Sequence, residues 1–197
     1  MRAALPPARW QGLLPSVLAL CLLLSPLATT PGQAASTAPA LGEAQLRARF
    51  ILNFLRFTDW PVRVPEGSTD PVATTVQLCV LSAHDPFDGA LGELQGVVAS
   101  GRRIQVRGLV EVEQLAGCNA LYVPDSDLRR LPAAREAAGH APLLIIGESE
   151  QALDRGALIG MRMVERHLGF VVRIGAMRRM NLNFSPQMLN AAAEVLP

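Results

Sequence analysis

Three short apolar runs and one alternating run, spaced along a chain of 197 residues, limit what that chain can fold into. Residues 76–82, 119–123 and 143–146 are compact enough for buried strands and too short for buried helices. Residues 103–106 alternate polar and apolar, as a half-buried strand does. Helix signals lie between these runs. Pro86 opens a segment reaching Leu94, and residues 111–116 read as a helical turn. Asp125 or Ser126 can cap a helix that Pro132 interrupts or restarts and Gly139 ends, and Ser149 can cap a short one closed by Gly156. Strand and helix in alternation is the pattern of a parallel sheet with helices on its faces. No internal repeat and no linker marks a second domain.

The two ends of the pattern differ from its middle. Residues 157–164 and 168–174 are strand-like runs joined only by Glu165, Arg166 and His167, which permits a hairpin and not a helical crossover. Ser185 and Pro186 form an N-cap and first-turn pair for a closing helix that runs to Leu196. At the other end a helix is expected from Gly42, with Leu46, Phe50, Phe54 and Phe57 on one face and Pro61 as its bound. Residues 62–75, rich in Pro, Gly, Ser and Asp, read as a loop. Phe50, Phe54, Phe57 and Trp60 are four of only nine aromatic residues in the chain. The three phenylalanines are expected to form a core-facing stripe. Asn53 belongs either at the edge of that stripe or inside it with a hydrogen-bond partner. Trp60 and Pro61, at the end of the helix, are where an aromatic contact could stay exposed.

Residues 1–35 read as an export signal, not as structure. Arg2 and Arg9 supply the positive region, residues 13–27 the apolar one, and residues 32–35 a small-residue cleavage site. Leu20 before Cys21 argues against a lipidated cysteine. Residues 36–41 are a flexible leader and 42–197 the domain. No later stretch approaches the ~20 apolar residues of a membrane span, so no membrane insertion is expected after cleavage. Losing Arg2 and Arg9 leaves sixteen arginines against seventeen acids, a net charge of −1, which makes no electrostatic case for nucleic acid. The chain has no lysine, which excludes Schiff-base chemistry and the phosphate-loop lysine. Cleavage also leaves two cysteines in an oxidising compartment, pointing to one bridge, Cys79 to Cys118, the alternative being two buried free thiols.

Catalytic constellations are sought without success. Ser82, His84, Asp85 and Asp88 fall at the end of the first sheet strand, the edge where open α/β sheets bind ligands. Ser82 nevertheless lacks the Gly-x-Ser-x-Gly elbow, and neighbours on one turn rarely converge on a common atom. His140 and His167 show no zinc spacing, and Gly89, Gly92 and Gly96 are wrongly spaced for a dinucleotide loop. No catalytic residue, metal site or cofactor is therefore assigned, and the protein is not expected to be an enzyme.

Several stretches together resemble the YfiR family of periplasmic proteins. The opening RARFILNFLRFTDWP is similar to that family's Phe-x-x-Asn-Phe-x-x-Phe-x-x-Trp-Pro pattern at Phe50, Asn53, Phe54, Phe57, Trp60 and Pro61. LCVLSAHDPFDGALGELQG resembles its first strand and Asp-Pro-Phe turn, with Cys79, Asp85, Pro86 and Phe87. GCNALYVPDS resembles its second cysteine strand, and the stretches from Gly156 and from Ser185 its closing hairpin and helix. The resemblance implies a single Rossmann-like α/β domain with a Cys79–Cys118 bridge and a tendency to dimerise. It also implies a repressor that binds the periplasmic domain of an inner-membrane diguanylate cyclase, lowering cyclic-di-GMP output and biofilm formation. Trp60, Pro61, Asp85 and Phe87 become candidate partner or ligand contacts. Val171, Arg173 and Gly175 depart from the family's final strand, where an acid and an amide are expected. The competing reading is a periplasmic small-molecule sensor with its pocket at residues 85–89.

Overall fold

The structure, a computed structural model, describes residues 42–61, 75–87, 89–164 and 167–197. The export signal, the leader and all but the last residue of the 62–75 loop lie outside the described residues. In chain order the elements are α1 (Glu43–Arg56), β1 (Thr58–Asp59), β2 (Thr75–Leu81), β3 (Val98–Ala99), β4 (Arg102–Leu109) and β5 (Ala120–Val123). They continue with α2 (Leu131–Ala138), β6 (Leu144–Gly147), α3 (Gln151–Asp154), β7 (Ile159–Val164) and β8 (His167–Arg173). The last are α4 (Ile174–Arg179), β9 (Asn183–Phe184), α5 (Pro186–Ala191) and β10 (Glu194–Leu196).

Eight strands form one sheet in the order β10-β8-β7-β6-β5-β2-β4-β3. The pairs β4–β2, β2–β5, β5–β6 and β6–β7 are parallel, so the alternation in the sequence produces the fold it implies. β5 and β6 are buried at every position, as strands covered on both faces must be. β7 and β8 pair antiparallel from Ile159↔Val172 to Val164↔His167, the expected hairpin.

The parallel sheet leaves room for close layers only where side chains are absent. Gly147 and Gly160 face each other across β6 and β7. A Cβ on Gly147 would lie 2.0 Å from the Ala152 Cβ, and one on Gly160 2.9 Å from the Ser149 carbonyl oxygen. These glycines let α3 and its entry turn press onto the sheet. Gly139 (φ +55°) and Gly156 (φ +106°) end α2 and α3 as expected, in a conformation other residues adopt at a cost.

Several local expectations fail. Residues 86–87 and 89–94 form turns and a single 3-10 turn at Gly92–Leu94 instead of a helix, Gly89 adopting φ +91°, while Asp88 lies outside the described residues. Neither Asp125 nor Ser126 caps the following helix by a side-chain bond; a 3-10 segment, Asp125–Arg130, leads into α2 with Pro132 in its first turn. Ser149 does not cap α3, since its hydroxyl donates to Asp125 Oδ1 (2.8 Å). Ser185 does cap α5, accepting from Met188 N (3.3 Å), yet the helix stops at Ala191. Residues 194–196 instead pair parallel with β8, because an open sheet edge satisfies their backbone groups. β1, β3, α4 and β9 were not anticipated; strands of two residues carry no periodicity to read.

Candidate functional site

The helix α1 lies on the sheet with Ile51, Phe54 and Leu55 wholly buried and Ala48 nearly so. The expected stripe is therefore rotated. Of the motif residues only Phe54 is fully buried, Phe50 and Phe57 are half-buried, and Asn53 is exposed. Ile51 and Leu55 offer a competing aliphatic face, and the sheet takes the centre of the combined apolar arc. Phe50 and Phe57 are left on its flank.

That flank is one wall of a groove. Just past α1, Thr58–Asp59 pair with Asn183–Phe184, and Ser185 N donates to Phe57 O (3.0 Å). This clasp holds α5 beside α1. Buried Thr58 closes the corner by donating its hydroxyl to Phe54 O (2.6 Å). Between the two helices, over β8, lies a cavity of about 250 Å³ lined by Phe50, Asn53, Phe57, Leu168, Phe170 and Met188. Its floor is an aromatic cluster in which the Phe170 ring centroid stands 5.0 Å from that of Phe54 and 6.1 Å from that of Phe50, both edge-on. Exposed Asn53 and Gln187 bring amides to the rim of an otherwise apolar surface. Such a groove suits an apolar side chain whose backbone or polar end can bond to an amide.

The other candidate contacts divide. Trp60 is half-buried, its indole N–H donating to Leu55 O (3.3 Å), and Pro61 is half-buried beside it. Phe87 is buried in the core, its ring 4.8 Å from that of Tyr122, which removes it from the surface contacts. Asp85 spends both carboxylate oxygens on its own loop, accepting from Phe87 N (2.9 Å) and Gly89 N (2.7 Å). The loop is thereby closed on itself, and Ser82 likewise turns its hydroxyl to accept from His84 N (3.3 Å). Beside this loop, at the carboxyl ends of β2 and β4, a second cavity of about 620 Å³ is lined by Val80, Ser82, His84, Leu91, Val106 and Gly108. Among the described residues no group of three or more His, Cys, Asp or Glu could hold a metal ion.

Cys79 and Cys118 are bonded to each other, joining mid-β2 to the entry of β5 across 39 residues of sequence. Asn119 reinforces this junction by accepting from Gln77 N (2.8 Å) and donating its own N–H to Gln77 O (2.9 Å). Of the three departures, Val171 and Arg173 fall in β8 and Gly175 in α4, and each serves local packing. Val171 is buried, Arg173 reaches Asp154 at 3.8 Å, and Gly175 admits the Pro197 backbone, 2.8 Å from where a Cβ would stand. Sequence reasoning missed Phe170, Leu168 and Met188 as groove residues, since nothing local tells a groove wall from core.

Among the described residues no helix is long and apolar enough to cross a membrane. A solved structure of a conserved domain protein from Vibrio cholerae shares the fold, with a TM-score of 0.52 at 12% identity over 79% of this chain. This chain spans 60% of that protein's length. Comparison with curated proteins finds no match. The model of the YfiR/HmsC-like family matches residues 44–193, from the first turn of α1 to the approach to β10. The chain therefore belongs to the YfiR/HmsC-like family.

Proposed function

We propose that this protein binds the periplasmic domain of an inner-membrane diguanylate cyclase and represses it, lowering cyclic-di-GMP output and biofilm formation, with the aromatic groove as its contact surface. The observation that carries this reading is the flank of α1, where Phe50 and Phe57 stay half-buried beside exposed Asn53 over a cavity of about 250 Å³. Half-buried rings beside a cavity leave apolar surface that a partner's side chain can cover, and a few aromatic anchors in a pocket dominate many protein contacts. Trp60 and Pro61 extend the surface from the end of the helix. On this reading residues 1–35 are removed on export and the domain of residues 42–197 acts in the periplasm, without a cofactor.

Deleting the gene raises cyclic-di-GMP on this reading, and unchanged levels sink it. Reintroducing Asn53→Lys or Trp60→Ala at unchanged melting temperature fails to restore repression if the groove is the contact. A second reading, a small-molecule sensor, is supported by the cavity of about 620 Å³ at the strand ends. A ligand of that cavity, present at about 100 times its dissociation constant, would add about 2.7 kcal/mol of stability in a thermal-shift screen.

A further inference from the structure

We propose that β4 binds an extended peptide of a partner protein at its open edge beside Gly108, with one apolar side chain of that peptide filling the cavity of about 620 Å³ over the glycine. Ile104 N donates to Val97 O (2.8 Å) and Val106 N to Gln95 Oε1 (2.7 Å), so the backbone groups of these alternate positions face away from β2. Val110 N follows the same alternation, donating to Gln114 Oε1 (3.0 Å). Gly108 lies between them, exposed, and among the described residues nothing bonds its N–H or its carbonyl on that side. β3 does not reach it, since β3 pairs only with Arg102 and Arg103.

A donor and an acceptor on one edge residue select a peptide backbone as the occupant. An antiparallel segment continuing the line of β3 would set one residue opposite Gly108 and exchange two backbone hydrogen bonds with it. Residues opposite each other turn their side chains to the same face of the sheet. Gly108 has none to offer there, and a Cβ on it would meet nothing within 4 Å beyond its chain neighbours. Val80, Leu91, Val106 and Val110 line the space around it, which suits an aliphatic or aromatic side chain. Val110, 57% exposed, is apolar surface for the same segment to cover. A second copy of the chain fits poorly, because pairing two β4 edges about Gly108 would set glycine against glycine and leave both cavities empty. The site is the cavity of the small-molecule reading with a peptide in place of that molecule, and it is separate from the aromatic groove.

Two substitutions separate the backbone from the cavity. Gly108→Leu fills the space and keeps the N–H. Gly108→Pro removes the outward N–H, which the β2–β4 ladder does not use, and edge strands tolerate proline at such positions.

The test titrates the folded, oxidised protein with pentapeptides of threonine carrying alanine, valine, leucine or phenylalanine at the centre, followed by amide NMR. The Gly108 amide is expected to shift saturably and to slow its exchange with solvent, with the larger apolar centres binding more tightly than alanine. Gly108→Leu and Gly108→Pro, at melting temperatures near the parent's, each weaken binding about tenfold or more, as does methylating the central nitrogen of the peptide. Several results overturn the proposal: no saturable binding in the millimolar range, unchanged affinity in folded Gly108→Leu, or a Gly108 amide already protected without peptide. Dimers that Gly108→Pro dissolves would assign the edge to a second copy instead, and N-acetylleucinamide binding as tightly as the leucine peptide would return the cavity to small molecules. Should Gly108→Pro not fold, Gly108→Leu and the methylated peptide decide. None of these readouts depends on a cyclase partner.

Discussion

Tyr122 carries a phenol into the core, where no described residue offers it a hydrogen bond. Burial first, and then the Glu148 carboxylate, push its ionisation well above the ordinary phenol range. Below about pH 10 the group is neutral in both folded and unfolded chains and contributes no pH dependence. As pH rises past that value the unfolded chain ionises and the folded one resists, so stability falls. Tyr122→Phe should therefore raise stability at neutral pH by about 1–3 kcal/mol, the cost of an orphaned buried hydroxyl. It should also flatten the alkaline loss, both checked by urea midpoints at pH 7 and pH 11. The sequence marks Tyr122 as a strand residue and nothing more. That its hydroxyl is stranded follows from which side chains of other elements surround it.

At the scale of elements, α1 separates two roles within one aromatic motif. Phe54→Ala empties a wholly buried site and should cost roughly 3–5 kcal/mol in chemical unfolding. Phe57→Ala removes a half-buried groove wall and should cost less than half as much. Equal losses would place both rings in the core. α3 depends on glycine in the sheet beneath it, so Gly160→Ala should destabilise by roughly 1–3 kcal/mol through overpacking against the Ser149–Glu150 backbone. The helix α1 was legible from its spacing, but its end was not: it stops at Arg56, before the Pro61 bound, and Thr58–Asp59 turn into a strand. Its rotation was not, because apolar residues cover more of its circumference than one stripe and only the sheet chooses among them.

For the molecule as a whole, the Cys79–Cys118 bridge closes a 39-residue loop that holds β4 and links β2 to β5. Replacing both cysteines by alanine should cost roughly 4 kcal/mol, measured by urea unfolding of the oxidised parent against the variant. The loop spans the crossover from β2 through β4 to β5, the point where strands diverge to either side of β2 and where α/β sheets place ligand crevices. By itself the sequence determined the parallel strands, the β7–β8 hairpin and the pair of cysteines available to bond. Buried runs, turn length and cysteine count are local signals, each complete within a few residues. Only the tertiary structure decided the groove between α1 and α5, the β1–β9 clasp behind it, the edge strand β10 and the open edge of β4 beside Gly108. Those features depend on the register between segments far apart in the chain, and register is set by the packing of the whole sheet.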